Sequence, residues 1–272
     1  MTTFITAAVI FTILDFFAGR EHGGFDFTAK TRYGIIDYQK KTSSRYHFIP
    51  GINQYMGNCF QIGNNKLADN IAIFSLKEIL TCLTCSKYGC DHGCYALKAS
   101  RQYTTAYNYR LQMSYLACNH LDLLEKYIRE DLNKLVKKTT VDTIRIHEAG
   151  DFVSQDYVNM WTRIVKDYSS RFDFYCYVKT AELFDFSGLM AAGCAVNDSV
   201  IDGGKNYGTD QELAIMKANN PDLYICTYGT DHELICGKHG AGGCRACMKK
   251  NKDGKMNKRA FHDHGDDAGK TA

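Results

Sequence analysis

The chain has 272 residues, of which 45% are hydrophobic and 23% are charged, and its net charge is +3. This composition predicts a globular protein with a sizeable core and excludes an intrinsically disordered chain. The small net charge does not by itself indicate a nucleic-acid or membrane partner.

The first apolar stretch, residues 4–19, is too short to span a bilayer and carries Asp15 in its middle. It also lacks the basic segment that precedes the apolar part of a signal peptide. We interpret it as a buried strand or helix, with an adventitious extension as the alternative. Residues 1–60 are therefore assigned to an N-terminal extension with the first strands, and no membrane partner is expected.

Residues 61–228 have the pattern of an α/β core domain. Apolar residues recur at helical spacing over 95–117 and 120–138. Strands then alternate with helices, which is typical of βαβ units and a parallel sheet. We predict a (β/α) barrel-like fold, complete or partial, with cysteine-rich metal-binding loops. An open doubly wound sheet is the alternative, although the chain has no GxGxxG motif. The alternating strands are VDTIRIHEAG, RFDFYCYVKT, CAVNDSVID and PDLYICTYG, and the helices between them are SQDYVNMWTRIVKDY, AELFDFSGLMAA and DQELAIMKAN.

The end of the core domain is followed by a segment that is loop-like and rich in Gly, Lys and His. We assign 229–260 to a cysteine-rich basic C-terminal segment. Residues 261–272 are predicted to be a disordered tail.

Eight of the twelve cysteines fall into two compact groups, a spacing that disfavours a disulfide framework in a chain of this length. The first group has the spacing C-x2-C-x4-C-x3-C and the second has C-x9-C-x7-C-x2-C. Four thiolates suit tetrahedral zinc or an iron–sulfur cluster. We therefore predict metal ligation by Cys82, Cys85, Cys90, Cys94, Cys226, Cys236, Cys244 and Cys247.

The position of the first group favours iron–sulfur over zinc. Zinc knuckles generally form small autonomous modules, whereas this group lies at the entrance to a βα domain. We predict one or two clusters of the [4Fe-4S] type, with zinc as the alternative. Radical-SAM enzymes place three cysteines in such a loop, so S-adenosylmethionine (SAM) is a further candidate. The nearest match, C-x4-C-x3-C, departs from the required C-x3-C-x2-C and counts against SAM cleavage.

A second informative stretch is RIHEAGDF (145–152), in which an apolar strand runs directly into charged residues. In (β/α) barrels, functional side chains lie at the carboxyl ends of the strands. Alternation along a strand predicts that Arg145 and His147 share a face. The alternative is that Asp151 helps to cap the next helix and that Arg145 pairs with a carboxylate. The predicted pocket residues are Arg145, His147, Glu148, Asp151 and Lys179.

The basic segment 245–259 contains seven Lys and Arg residues opposed only by Asp253. Lysines that follow a CxxC motif in this way indicate a nucleic-acid contact in which they neutralise phosphates. The alternative is a solvated surface loop.

These motifs together resemble those of the phage gene-product-88 family. The resemblance rests on C-x7-C-x3-C-Y-A at residues 82–96, on RIHEAGDF, on FYCYVKT and on GCRAC, and Cys85 is extra relative to the family's cysteine pattern. It implies a phage origin and a location in the host cytoplasm, but no reaction. A looser similarity, through GCDHGCYA, extends to radical-SAM-like phage barrel proteins.

Three functions agree with these features. The first is an iron–sulfur protein that acts as a redox or radical-SAM-like enzyme. The second is a zinc- or cluster-stabilised nucleic-acid-binding protein without catalysis. The third is a metal-stabilised protein that modulates a host partner.

Overall fold

The computed structural model describes residues 58–64, 67–89, 94–138, 140–200, 207–226, 238–239 and 243–262, with short strands at 30–31, 34–35, 46–49, 52–55 and 235–236. The apolar stretch 4–19 lies outside the described residues. None of the helices described is long and apolar enough to cross a membrane.

Strands and helices alternate through the middle of the chain as the sequence predicts. The strands are β1 Lys30–Thr31, β2 Gly34–Ile35, β3 Tyr46–Ile49, β4 Ile52–Tyr55, β5 Gln61–Ile62, β6 Ile71–Phe74, β7 Thr143–Ile146, β8 Asp173–Val178, β9 Cys194–Asp198, β10 Tyr207–Gly208, β11 Tyr224–Cys226, β12 Ile235–Cys236, β13 Gly243–Cys244 and β14 Asn257–His262. The helices are α1 Tyr95–Gln102, α2 Thr104–Asn119, α3 Leu121–Val136, α4 Gln155–Tyr168, α5 Ser187–Ala191 and α6 Asp210–Asn219, with a 3-10 helix at Ala246–Met248.

Eight strands form the main sheet, in the order β10-β14-β9-β8-β7-β6-β5, with β11 also paired to β14. Strands β6 to β9 are parallel and adjacent in chain order, and only β5 is antiparallel to its neighbour. Within the part of the chain that the structure describes, the sheet does not close. The predicted α/β class is therefore confirmed, and a closed barrel is not.

The two faces of this sheet have different coverings. One face, which includes Phe74, Ile144 and Phe174, packs against α2 to α5 in the main core. The opposite face, which includes Ile73 and Tyr175, packs against the 3-10 helix. Strands covered on both sides must be apolar throughout, which explains the run IAIF of β6. Each fully buried Leu or Ile side chain stabilises the fold by about 1.5–3 kcal/mol.

The single helix predicted over 95–117 is wrong, because α1 and α2 are separated at Tyr103. This residue has an extended backbone (φ −120°, ψ 103°) and its side chain is exposed. Thr104 and Thr105 follow it, and β-branched residues lower helix propensity.

The predicted helix start at Ser154 is confirmed, since its Oγ accepts a hydrogen bond from the Tyr157 amide at 3.1 Å. The next long helix, α6, begins at Asp210 as the segment DQELAIMKAN predicts, and Thr209 caps it in a capping box with Glu212.

The C-terminal segment is more ordered than the sequence predicts. Strand β14 pairs in parallel with β9, β10 and β11 and so joins the main sheet. It extends through Phe261 to His262, two residues into the predicted disordered tail. The predictions of a loop-like segment up to residue 260 and of a disordered tail from residue 261 are therefore wrong for residues 257–262, which form β14. The physical reason is burial, since Ala260 is fully buried in a cluster with Leu213 and Leu223.

Candidate functional site

The first cysteine group lies in the loop that follows β6, at the carboxyl edge of the sheet. The amide of Cys82 donates to Ile79 O at 3.2 Å, and the amide of Cys85 donates to Cys82 O at 2.9 Å. These turns place both thiols of the CxxC motif in one tight loop. Cys94 occupies the N-cap of α1, where the helix dipole favours a negatively charged group. Cys90 lies outside the described residues.

A close backbone contact anchors this loop to the loop after β7. Gly150 has φ +80°, and a Cβ atom there would lie 2.6 Å from both Leu76 Cβ and Thr81 Oγ1. The amide of Leu76 also donates to Ala149 O at 2.9 Å. Only glycine combines this backbone conformation with so close an approach. The glycine of RIHEAGDF is thus a packing requirement of the cysteine loop.

The three described thiols of this group act on one another electrostatically. Burial raises the pKa of Cys82 well above its usual value, and the nearby Asp151, Cys94 and Cys85 raise it further. In the metal-free protein the Cys82 thiol is therefore neutral. A metal ion bound here would displace its proton, which couples metal affinity to pH.

Asp151 is a buried carboxylate that joins the loop after β7 to the loop after β8. Its Oδ1 accepts from the Phe152 amide at 2.7 Å and from Thr180 Oγ1 at 3.1 Å, and its Oδ2 accepts from the Lys179 amide at 2.8 Å. Burial raises the pKa of Asp151 to about 6, although these hydrogen bonds oppose the shift. It caps no helix, because Ser154 does so.

The main chain of Lys179 connects Asp151 to the first cysteine loop. Its carbonyl accepts a hydrogen bond from Thr84 Oγ1 at 3.1 Å, and Thr84 lies between the two cysteines of the CxxC motif. The sequence predicted that Lys179 and Asp151 meet at the ends of neighbouring strands. The structure brings them together, with the Lys179 amide making the contact.

His147 lies in the core, away from the pocket predicted for it. Its φ of +65° interrupts the strand alternation, so its ring turns toward the helices whereas Arg145 faces the opposite side. The Nε2 atom is 2.9 Å from the Tyr157 hydroxyl, and the ring packs on Phe152. Burial lowers the pKa of His147 to about 3, so the imidazole is neutral. The predicted shared face of Arg145 and His147 is wrong.

A buried cluster of charges lies beside the first cysteine group, and the sequence analysis missed it. Glu78 forms ion pairs with Lys77 and, at 3.3 Å, with Arg110. Arg110 also lies 3.8 Å from Glu148 and donates to Ala96 O in α1, the helix that Cys94 caps. The pair Lys77–Glu78 lies in the loop that begins after β6, and this position after a strand was the available signal.

The second cysteine group lies against the other face of the sheet. Cys247 is in the 3-10 helix and packs with Tyr175 and Ile73. The sheet register pairs Cys236 with Cys244, and the Tyr224 hydroxyl is 3.7 Å from Cys244 Sγ. A cleft of about 460 Å³ opens beside these residues, and Tyr224, Cys244, Arg245 and Met248 line it. Cys226, Cys244 and Cys247 all act electrostatically on the Tyr224 hydroxyl.

Arg145 belongs to this second site. Its guanidinium lies over the rings of Tyr177 and Tyr175, at 5.4 and 6.0 Å from the ring centres. Burial raises the pKa of the Cys247 thiol, whereas Tyr177, Arg259 and Arg145 each lower it. The two groups therefore differ in the charges that act on their thiols, because Arg145 and Arg259 act on Cys247 whereas Asp151 acts on Cys82.

None of the ten cysteines whose side chains are described forms a disulfide. In the described ranges, no three His, Cys, Asp or Glu side chains are arranged to hold a metal ion. Cys90 and the side chain of Cys236 lie outside those ranges. The structure therefore describes three of the four predicted thiol ligands in each cysteine group.

The basic segment 245–259 is only partly a free surface. Arg245 pairs with Asp173 at 2.9 Å, Lys258 donates to Asn220 at 2.7 Å, and Arg259 is buried. The remaining cations are exposed around one turn and comprise Lys249, Lys250, Lys252 and Lys255.

Comparison with known proteins identifies the family. No curated protein and no solved structure matches the chain. The sequence profile described as Gene product 88 matches residues 55–194, which is more than half of the chain and includes the first cysteine group and RIHEAGDF. The predicted resemblance is confirmed, and the chain belongs to the phage Gene product 88 family.

Proposed function

We propose that this phage protein binds iron–sulfur clusters through its two cysteine groups and acts as a redox enzyme in the host cytoplasm. Cys82, Cys90 and Cys94, with Cys85, hold the first cluster. Cys226, Cys236, Cys244 and Cys247 hold the second. The observation that supports the proposal is the position of Cys82, Cys85 and Cys94 at the carboxyl edge of a parallel sheet, in the tight loop after β6 and at the N-cap of α1. Ligands and reacting groups of α/β enzymes gather at that edge.

The surroundings of the first group favour a reactive centre over a structural zinc ion. A buried carboxylate whose pKa lies at about 6, Asp151, adjoins Cys82 and can exchange a proton near neutral pH. Glu148 is half-buried at the same edge and pairs with Arg110. A zinc ion that only braced a loop would need neither group. Asp151 and Glu148 are thus the proposed proton carriers, and Lys179 positions Asp151.

The sheet topology supports a partial barrel as the form of the predicted barrel-like fold. Strands β6 to β9 follow one another in chain order, and the helices between them cover one face. A radical reaction on SAM is the more specific form of the proposal. The spacing of Cys82, Cys90 and Cys94 departs from the radical-SAM motif, so electron transfer is the form that we favour.

The test is anaerobic reconstitution with iron and sulfide, followed by metal analysis of single-site variants. We expect about four irons per site in the wild type. Replacing Cys82 and Cys94 by serine should remove the iron of the first site alone, and replacing Cys244 and Cys247 should remove that of the second. Cys118→Ser is the matched control, because Cys118 is an exposed thiol of α2 outside both groups. Unchanged iron content in all variants would exclude the proposed ligands.

Nucleic-acid binding without catalysis is the second candidate function. The exposed turn that carries Lys249, Lys250, Lys252 and Lys255 favours it. Four lysines on one turn can neutralise several phosphates. In this alternative the cysteine-bound metal, zinc or cluster, stabilises the segment that presents the turn.

A further inference from the structure

A cleft opens at the amino edge of the main sheet, at the opposite end of the strands from the first cysteine group. Its volume is about 460 Å³, which is within the range of cavities that hold small ligands. Asp173 and Tyr224, the first residues of β8 and β11, line it together with Arg245, Met248 and Lys249. The cleft is therefore separate from the carboxyl edge, where the proposed proton carriers lie.

Tyr224 presents an aromatic ring to this cleft. The parallel pairing of β11 with β14 places Tyr224 next to Arg259. The Arg259 guanidinium lies over the ring, 5.3 Å from its centre, and donates to Ala246 O at 3.0 Å. The Tyr224 hydroxyl is 3.7 Å from Cys244 Sγ. The ring is thus held from one side and at its tip, which leaves the side toward the cleft for a ligand.

The charges in the cleft favour a nucleic-acid base over a phosphate group. The Arg245 guanidinium is already paired, since Nη2 lies 2.9 Å from Asp173 Oδ2 and donates to Thr143 Oγ1 at 3.1 Å. The Asp173 side chain is 56% exposed, and a carboxylate repels phosphate but accepts hydrogen bonds from the N–H groups of bases. Met248 adds apolar surface. The cleft therefore suits a flat ring that carries N–H donors.

Positive charge for phosphate binding lies at the rim of the cleft. Lys249 lines the cleft and is the first of the four exposed lysines of the basic segment. The turn that carries them is fixed to the fold. Asn257 Nδ2 donates to Lys249 O at 2.9 Å, and the Asn251 side chain pairs with both backbone groups of Val196 in β9, each at 2.8 Å. A site for a base and a site for phosphates thus adjoin each other.

We propose that the cleft takes one unpaired base of a single-stranded nucleic acid, which stacks on Tyr224 while the adjoining lysines neutralise the phosphates. The inference rests on the second candidate function, because it requires that the protein bind nucleic acid. An aromatic ring beside a basic surface is a general means of holding single strands. A base within a duplex is paired and stacked, so it cannot enter the cleft. The site therefore selects single strands over duplexes.

Affinities for a short single-stranded DNA and for the duplex of the same sequence, each measured across a salt series, provide the test. Tyr224→Leu should weaken single-strand affinity by about 5- to 150-fold, the usual effect of removing one stacking contact, and should leave duplex affinity unchanged. The slope of log affinity against log salt should also stay unchanged, because the ring neutralises no phosphate. Tyr224→Phe keeps the ring and should bind the single strand like the wild type.

Tyr168→Leu is the matched control. Tyr168 is also a half-buried tyrosine whose hydroxyl makes a hydrogen bond, to Asn133 at 2.8 Å, but it packs on the main core and not in the cleft. We expect the affinities for single strand and duplex to be unchanged by this substitution. Circular dichroism of both leucine variants shows that they are folded.

Photo-crosslinking of the wild-type protein makes the test independent of how Tyr224→Leu folds. A single strand that carries 5-iodouracil couples on irradiation to an aromatic side chain on which the base stacks. Mass spectrometry of the crosslinked peptides should place the link at Tyr224. A competing unlabelled single strand should abolish the link, whereas an equal amount of duplex should not.

Three results would overturn the inference while nucleic-acid binding stands. The first is wild-type single-strand affinity in a folded Tyr224→Leu protein, and the second is an equal loss of affinity for single strand and duplex. The third is a crosslink confined to residues outside the cleft. A wild-type protein that binds neither single strand nor duplex would instead overturn the second candidate function itself.

Discussion

Asp151 and Lys179 join the ends of two neighbouring parallel strands, through a hydrogen bond of 2.8 Å from the Lys179 amide to Asp151 Oδ2. The Lys179 carbonyl in turn accepts from Thr84, inside the first CxxC motif. The loops after β6, β7 and β8 are therefore one connected unit. Substitutions of Asp151 or Gly150 should therefore disturb the loop that carries Cys82 and Cys85.

The buried carboxylate of Asp151 should make the stability of the metal-free protein depend on pH. The pKa of Asp151 rises from 3.8 to about 6 on folding, so its contribution is fully present below pH 3.8 and is lost as pH rises through about 6. The shift corresponds to about 3 kcal/mol. Urea unfolding of the wild type and Asp151→Asn at several pH values should show this difference. Parallel pH profiles for the two proteins would contradict the buried ionisation.

Gly150→Ala should disrupt the first cysteine loop. The added Cβ would lie 2.6 Å from Leu76 Cβ and Thr81 Oγ1, in a backbone conformation that alanine resists. We expect a loss of at least about 2 kcal/mol in the free energy of unfolding, together with loss of metal from the first site.

Gly254→Ala is the control for that substitution. Gly254 has φ +66°, but no atom lies within 4 Å of the added Cβ. Only the backbone cost of about 1 kcal/mol should appear, and both metal sites should fill normally. Equal effects of the two substitutions would show that the close packing of Gly150 does not matter.

Arg110→Met tests the buried charge cluster. The substitution leaves Glu78, whose side chain is 1% exposed, with Lys77 as its only ion-pair partner among the described residues. Breaking a buried ion pair in this way typically costs about 3–5 kcal/mol. Denaturant unfolding measures the loss. Lys87→Ala removes the exposed pair with Glu182 and should leave the transition nearly unchanged, because solvent screens that pair.

The nucleic-acid alternative predicts salt-dependent binding through the exposed lysine turn. Replacing Lys249, Lys250, Lys252 and Lys255 by Gln should weaken retention on single- and double-stranded DNA and RNA, and should reduce the slope of log affinity against log salt by up to about 4. Filter binding across a salt series provides the measurement. A wild-type protein that binds none of these nucleic acids would exclude this function.

Periodicity in the sequence was sufficient for the alternating core, because β7 to β9 and α3 to α5 have strong apolar patterns. Local rules could not reveal the positive φ of His147, which reverses the expected direction of its side chain. Nor could they show that Arg145 and Arg259, which are 114 positions apart, lie near the same thiol. Both failures have one cause, since tertiary packing decides which face of the sheet a charged residue occupies.

Metal and sulfide analysis of the wild-type protein, purified without oxygen, tests the central claim most directly. We predict a coloured protein that contains iron and acid-labile sulfide in equal amounts, about four of each per site, and whose broad visible absorption bleaches on reduction. A colourless protein with stoichiometric zinc and no sulfide would contradict the iron–sulfur assignment.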